Sequence, residues 1–157
     1  EALTMSDRIA IFNHGKIEQI GGPSDIYDHP KTQFVAEFIG ETNLLSGKVS
    51  SASNGLLTVT LDGGQSIRVA SAAALEPGKH VKISVRPERI ELRSSGEGQN
   101  ELKVKISDIV YHGDHLQIQA DTGSRSLVIK APRNAVTSQI GQEVVASFSP
   151  EQCWIVS

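Results

Sequence analysis

Apolar and polar positions change rhythm once along this chain, near residue 42. Before that point the pattern mixes strand and helix periods. Arg8-Ile9-Ala10-Ile11-Phe12-Asn13 and Lys16-Ile17-Glu18-Gln19-Ile20 flank His14-Gly15, whose glycine tolerates positive φ, so a two-residue β-hairpin is expected. Gly21-Gly22-Pro23 breaks the second strand, and Pro23 suits the first position of a short helix through Tyr27. After His29-Pro30 a second helix is expected from about Thr32 to Ile39, with Phe34 and Phe38 on one face and Gly40 as a left-handed terminator. The opening Glu1-Ala2-Leu3-Thr4-Met5 also reads as helix, with no capping residue ahead of it.

From Asn43 onward the rhythm is a period of two. Leu57-Thr58-Val59-Thr60-Leu61 turns at Asp62-Gly63-Gly64 and returns as Ser66-Ile67-Arg68-Val69. Lys79 to Arg86 alternates so that Val81, Ile83 and Val85 share a face. Ser94-Ser95-Gly96-Glu97-Gly98-Gln99-Asn100 reads as a polar link, and strands resume at Glu101. Within this all-β segment, GKHVKISVRPE recurs as GQEVVASFSPE, sharing Gly78/Gly141, Val81/Val144, Ser84/Ser147, Pro87/Pro150 and Glu88/Glu151. Ser66-Ile67-Arg68-Val69 likewise matches Ser126-Leu127-Val128-Ile129. The segment is read as two copies of one strand unit, residues 44–93 and 101–157. Units this small bury little apolar surface alone, so packing or interlocking into barrels is expected.

Composition narrows the function. The chain has 157 residues, 38% of them apolar, and a formal net charge of −3, which argues against a general nucleic-acid partner. Only Tyr111, Phe148 and Trp154 are aromatic after residue 40, and the last two sit in apolar strand patterns. The single cysteine, Cys153, lies in an apolar run, so it is read as a core or edge-strand residue. There is no phosphate-binding loop, and the glycine stretches at Gly63-Gly64 and Gly96–Gly98 lead into strands, not helix starts. Tyr111-His112-Gly113-Asp114-His115 is the densest group of potential metal ligands, but a solvated hairpin tip accounts for it better. No catalytic residue, bound cofactor or metal is therefore expected. Arg86, Pro87 and Glu88 remain as candidates, either a strand-terminating corner or an interface and regulatory motif. Ser149 replaces Arg86 in the second copy, so only the first can offer that arginine.

Glu1-Ala2-Leu3, Ser6-Asp7-Arg8-Ile9, Gly15-Lys16-Ile17, Gly21, Pro23, Ile26-Tyr27, Pro30 and Phe34-Val35-Ala36 with Phe38-Ile39-Gly40 together resemble the C-terminal end of a bacterial ABC-importer ATPase subunit. Val85-Arg86-Pro87-Glu88 resembles the regulatory tail of the same subunits, a duplicated OB-like barrel called a TOBE domain. The resemblance implies a mainly β fold, with residues 1–42 a small α+β remnant of the ATPase domain and residues 43–157 the TOBE domain. It implies a parent that uses ATP and Mg to drive solute uptake, its catalytic motifs lying before Glu1 and this part being non-catalytic. It further implies a homodimer paired through the TOBE domain, membrane permease subunits as partners, no nucleic acid, and a place on the cytoplasmic face of the inner membrane. The Phe38–Leu45 junction and the Tyr111–His115 turn resemble the spermidine/putrescine branch most. Without its ATPase partners, the first segment is expected to leave Ile9, Ile11, Phe12, Phe34 and Phe38 exposed or re-paired. An alternative is an oxyanion or small-ligand sensor of an iron, sugar or anion importer, with Lys48, Ser84, Arg86 and Lys130 as donors.

Overall fold

In the computed structural model, which describes residues 8–71, 75–93, 100–133 and 139–156, the chain forms a two-stranded hairpin, two short helices and two five-stranded sheets. Strand β1 (Ile9–Asn13) pairs antiparallel with β2 (Lys16–Gly21) through His14 and Gly15, whose φ of 51° and 77° are what a tight two-residue turn requires. Helix α1 (Pro23–Asp28) starts on its proline, and α2 (Gln33–Ile39) is capped by Thr32, whose side chain accepts the Val35 amide at 3.2 Å. Gly40 ends α2, but with φ of 177°: the chain leaves in an extended path, not the left-handed turn expected. The expected helix at residues 1–5 and the link at 94–99 lie outside the described residues.

The remaining strands follow one order twice. The first set is β3 (Asn43–Ser53), β4 (Leu56–Leu61), β5 (Ser66–Ala70), β6 (His80–Val85), a 3-10 turn at Pro87–Arg89, and β7 (Glu91–Arg93). The second is β8 (Asn100–Tyr111), β9 (His115–Asp121), β10 (Ser126–Pro132), β11 (Glu143–Phe148), a 3-10 turn at Pro150–Gln152, and β12 (Cys153–Val156). The last strands are exchanged: one sheet runs β12-β6-β3-β4-β5 and the other β10-β9-β8-β11-β7. Neither copy completes its own sheet, so they interlock as the burial argument requires.

Each sheet curls by the same device. β3 pairs with β6 through Asn43–Lys48 and with β4 through Gly47–Ser53, and β8 divides its length likewise between β11 and β9. A bulge follows at Ser50 and at Ser107, where the register shifts, and a bulge sharpens the bend that a small barrel needs. Each serine hydroxyl donates to a carbonyl of the neighbouring strand, Thr58 and Gln119, at 3.1 Å in both. The recurring sequence motif now has a cause at its glycine, valine and proline. Gly78 and Gly141 take φ of 92° and 88° to turn into the fourth strand, and their amides donate to Val49 and Ile106 beside the bulges. Val81 and Val144 face the core, and Pro87 and Pro150 are buried at the start of the 3-10 turns. One continuous core fills both barrels, and its fully buried members include Leu57, Ile67, Ile83, Leu102, Ile118 and Ile129.

A reciprocal polar clamp holds the two sheets in register. Asn43 Nδ2 donates to the Val128 carbonyl and its Oδ1 accepts the Val128 amide, both at 2.8 Å. Asn100 does the same to Arg68 at 2.7 Å in both directions. Each carboxamide thus pairs with the backbone of the other sheet as one more strand residue would, and both asparagines are buried. Replacing both with alanine should lower unfolding free energy by about 2–4 kcal/mol, since buried amides and carbonyls lose partners. Urea titration checks this, and a loss within error of zero would remove the clamp from the account.

Candidate functional site: an arginine joint

The N-terminal hairpin and helices form a small cluster of their own around Ile11, Ile26 and Val35. Gln19, buried at the end of β2, fastens it internally by donating to the His29 carbonyl at 3.1 Å and accepting the Lys31 amide at 2.9 Å. What joins this module to the barrels is Arg86, only 5% exposed at the end of β6. Its Nη1 donates to the carbonyls of Ala36, Gly40 and Glu41 at 2.9, 3.0 and 3.1 Å. Its Nε and Nη2 both reach the Tyr27 carbonyl, at 3.2 and 2.9 Å. The guanidinium carbon also stands 4.2 Å from the centre of the Tyr27 ring.

These acceptors are the end of α1 and the last turn and exit of α2, where helix carbonyls lack intrahelical partners and carry partial negative charge. One planar cation satisfies both helix ends. Burial lowers the arginine's affinity for its proton below the ordinary guanidinium value, while Tyr27, Glu88 and Asp28 oppose that loss. The Tyr27 hydroxyl donates to Glu88 Oε2, and Arg89 pairs with Asp28 at 3.2 Å, so two charged or polar links flank the joint. His29 adds a third by lying 4.2 Å from the Trp154 ring, with its Nδ1 2.9 Å from Asp25. Trp154 is therefore half-buried under the joint, not a core residue as its apolar context suggested, whereas Phe148 and Cys153 are core.

Of the three sequence candidates, Arg86 and Glu88 both grip the N-terminal module, and Pro87 is the buried turn residue between them. Ser149, in place of Arg86, makes a capping box with Gln152 instead, within its own 3-10 turn. Sequence reasoning missed Tyr27 and the carbonyl cage, because backbone acceptors leave no trace in side-chain identity. It also missed Asn43 and Asn100, although their equivalent places at the start of β3 and β8 were a readable signal.

The other candidates separate. Arg86 is committed to carbonyls, Ser84 shares a 2.6 Å contact with Thr42, and Lys130 pairs with Glu41 at 3.4 Å. The four proposed oxyanion donors do not gather around one cavity: only Ser84 and Arg86 line the polar hollow of about 120 Å³ beside the joint. His112 and His115 stack at 4.6 Å on the β8–β9 tip, where Asp114, 2.7 Å from His115, is held below its usual range by that hydrogen bond. Among the described residues no three His, Cys, Asp or Glu side chains come together as a metal site. Phe12 and Phe38 are 58% and 64% exposed, as expected of a face lacking partners, but Ile11 is buried at 3% because it packs on Ile26 and Val35.

A TOBE-domain family model matches residues 83–156, from the end of β6 through the Arg86 motif to β12. The spermidine/putrescine import ATP-binding protein PotA of Mesorhizobium japonicum is 43% identical over 125 residues, covering 78% of this chain and 34% of that protein. The namesake from Ruegeria pomeroyi is 39% identical over 155 residues, 96% of this chain and 41% of that one. The chain belongs with the TOBE-bearing import ATP-binding subunits. It spans between about a third and two-fifths of the length of these relatives. Among solved structures, the molybdate-bound cytoplasmic molybdate-binding protein ModG shares the fold, with a TM-score of 0.65 at 17% identity over 71% of this chain and 92% of that one.

Two outcomes test the joint. Arg86→Ala should cost about 2–4 kcal/mol, since it strips partners from several carbonyls, and Arg86→Lys should not rescue it because one ammonium cannot span both helix ends. Hydrogen exchange should show β1, β2, α1 and α2 losing protection while the barrels keep theirs; uniform loss would argue against a local joint. The second outcome concerns pH. Burial pushes the Cys153 thiol from 9.0 up to about 12, and burial with the Glu88 hydrogen bond pushes Tyr27 from 10.0 up to about 12. The folded chain keeps protons that the unfolded chain releases, so stability should be full below pH 9 and fall as pH rises toward 12. Urea midpoints at rising pH, compared with Cys153→Ala, isolate the thiol's share of that fall.

Proposed function

We propose that residues 43–157 are the regulatory and dimer-holding domain of an ABC-importer ATP-binding subunit, with residues 1–42 the end of its ATPase domain and a polyamine as the transported solute. The observation that carries this reading is Arg86. A single buried cation locks the barrels to the two helices, so a shift in one body is passed to the other without slack. That is the property a regulatory tail needs if it is to sense or limit an ATPase cycle. In this reading the residues present bind no nucleotide. ATP and Mg would be held by the remainder of the subunit, and permease subunits would dock there too, on the cytoplasmic face of the inner membrane. No helix among the described residues is long and apolar enough to cross a membrane, which suits a peripheral subunit. The polyamine assignment is supported by the names of the relatives, which run to spermidine/putrescine import.

The alternative, an oxyanion sensor, draws support only from the fold it shares with a molybdate-binding protein. Arg86, its strongest proposed donor, is already saturated by carbonyls. A thermal-shift series with molybdate, sulfate and phosphate should therefore show no stabilisation; a shift of the size expected at saturation, about 2.7 kcal/mol at a hundredfold excess over Kd, would favour the sensor instead.

The full-length gene product tests the leading reading. It should hydrolyse ATP, and cells lacking it should lose uptake of labelled spermidine. Deleting residues 43–157 should weaken its self-association by about tenfold or more in sedimentation, equivalent to about 1.4 kcal/mol. Unchanged association would overturn the dimer-holding role, and loss of sugar or ferric-iron uptake with spermidine uptake intact would overturn the polyamine assignment.

A further inference from the structure

An asparagine side chain can react with its own backbone when the carboxamide is free and the next amide nitrogen is unhindered, and glycine hinders least. The chain has five asparagines, of which Asn54 alone precedes a glycine. Asn13 donates through Nδ2 to Glu18 Oε1 at 3.0 Å, and the carboxamides of Asn43 and Asn100 are buried against backbone groups. Asn134 lies outside the described residues. Asn54 is exposed, and its carboxamide makes no hydrogen bond among the described residues. With Gly55, also exposed, it forms the two-residue turn between β3 and β4, at φ of 54° and 77°. The β1–β2 turn takes nearly the same φ, 51° and 77°, but has His14 where this one has Asn54. A Cβ at Gly55 would meet nothing within 4 Å, and among the described residues no acceptor holds the Gly55 amide.

We propose that Asn54 is a site of spontaneous covalent modification, deamidation through a cyclic imide to isoaspartate and aspartate. Local opening of the exposed hairpin tip brings the carboxamide over the Gly55 amide. The Gly55 nitrogen attacks the Asn54 side-chain carbonyl carbon. A C–N bond forms, the bond to Nδ2 breaks, and Nδ2 leaves as ammonia with the proton that the Gly55 nitrogen gives up. Water then opens the five-membered imide. Opening at the main-chain carbonyl leaves the chain running through the side-chain carbon, as isoaspartate; opening at the other carbonyl leaves aspartate. Water enters and ammonia departs, with nothing oxidised or reduced. Either product adds one negative charge to a chain already at −3. Isoaspartate also lengthens the backbone of a turn that has only two residues. The Ser53–Leu56 pair closes on that turn, and the Gly55 carbonyl accepts the Ser71 amide at 3.0 Å. The change therefore falls on the corner where β3, β4 and the end of β5 meet. The turn selects the reactive residue, because Asn-Gly suits two successive positive φ values and is also the pair that cyclises most readily. This inference rests on the turn and holds whatever the transported solute.

The test incubates the folded 157-residue chain at mildly alkaline and at mildly acidic pH. An acidic species should accumulate in isoelectric focusing, faster in alkali, because attack needs the Gly55 amide to lose its proton. Peptide mass mapping should place the change of carboxamide to carboxylate at Asn54, with Asn13, Asn43 and Asn100 intact. Methyl transfer from S-adenosylmethionine by an isoaspartyl methyltransferase should label the same peptide. The acidic species should be lost in Asn54→Gln, whose longer side chain disfavours the ring. Asn54→Asp, which carries the charge without the extra backbone carbon, should keep hydrogen-exchange protection at Leu56 and Ser71, while the isoaspartate form loses it. No acidic species, its persistence in Asn54→Gln, mapping to another asparagine, or formation only in the urea-unfolded chain would each overturn the proposal.

Discussion

A buried guanidinium must find acceptors for its donors, and the architecture around Arg86 is what meeting that demand requires. Taking the charge out of water is costly, and the cost is offset only if the partners are already fixed. Two short helices whose last carbonyls lack partners supply them, provided both helices end at the same place. That condition sets the path of the chain: α1 must stop at Asp28, α2 must leave through Gly40 in an extended line, and Glu41 must turn its carbonyl inward. The hairpin is positioned in turn by Gln19, which holds the loop between the helices. One side chain directly after β6 thus ties down residues 8–41.

The barrels answer a different constraint, that neither copy buries enough surface alone. Exchange of β7 and β12 makes each sheet depend on the other copy, and the Asn43 and Asn100 carboxamides add directional contacts that apolar packing lacks. The hairpin tips at Gly63 and Ser124 meet so closely that a Cβ at Gly63 would lie 2.4 Å from Ser124 Oγ. Gln65 reinforces the approach through the Lys103 backbone, at 3.0 Å to its amide, and Arg125 reaches the Leu44 carbonyl. Register between the two sheets is therefore set by polar atoms, while affinity between them comes from Leu57, Ile67, Leu102 and Ile129.

Local signals carried most of the secondary structure. His14-Gly15, Pro23 and Thr32 act through their own backbone or capping preferences, and a period of two marks each strand without knowledge of its neighbours. The internal repeat went further, because a duplicated motif reports a shared environment: the recurring glycines and prolines proved to do the same job twice. What stayed hidden was reciprocal or backbone-borne. Strand exchange leaves each strand's own pattern unchanged, so sequence could suggest interlocking but not which strand moves. Gly40 was misread because glycine after a helix commonly adopts positive φ, while here the carbonyls it would have satisfied belong to Arg86. Ile11, expected to be exposed or re-paired without ATPase partners, is buried because Ile26 of α1 and Val35 of α2 pack against it, while the neighbouring Phe12 stays exposed.

Duplication offers a way to separate what the fold needs from what has been added. Positions alike in both copies, such as Gly78 and Gly141 or Pro87 and Pro150, belong to barrel geometry, and their retention needs no functional cause. Positions that differ at equivalent places are where one copy acquired a task. Arg86 faces Ser149 in that comparison, and His80 and Lys82 face Glu143 and Val145. Both differences fall on β6 or immediately after it, and Arg86 and Lys82 both reach the N-terminal module, at the Ala36 carbonyl and at Gln33. The second copy, with a capping box where the lock would be, serves as the counterpart that completes the first copy's sheet. Asymmetry within a pseudo-symmetric core thus concentrates the chemistry on a single strand, and that strand is the one through which the two bodies are coupled.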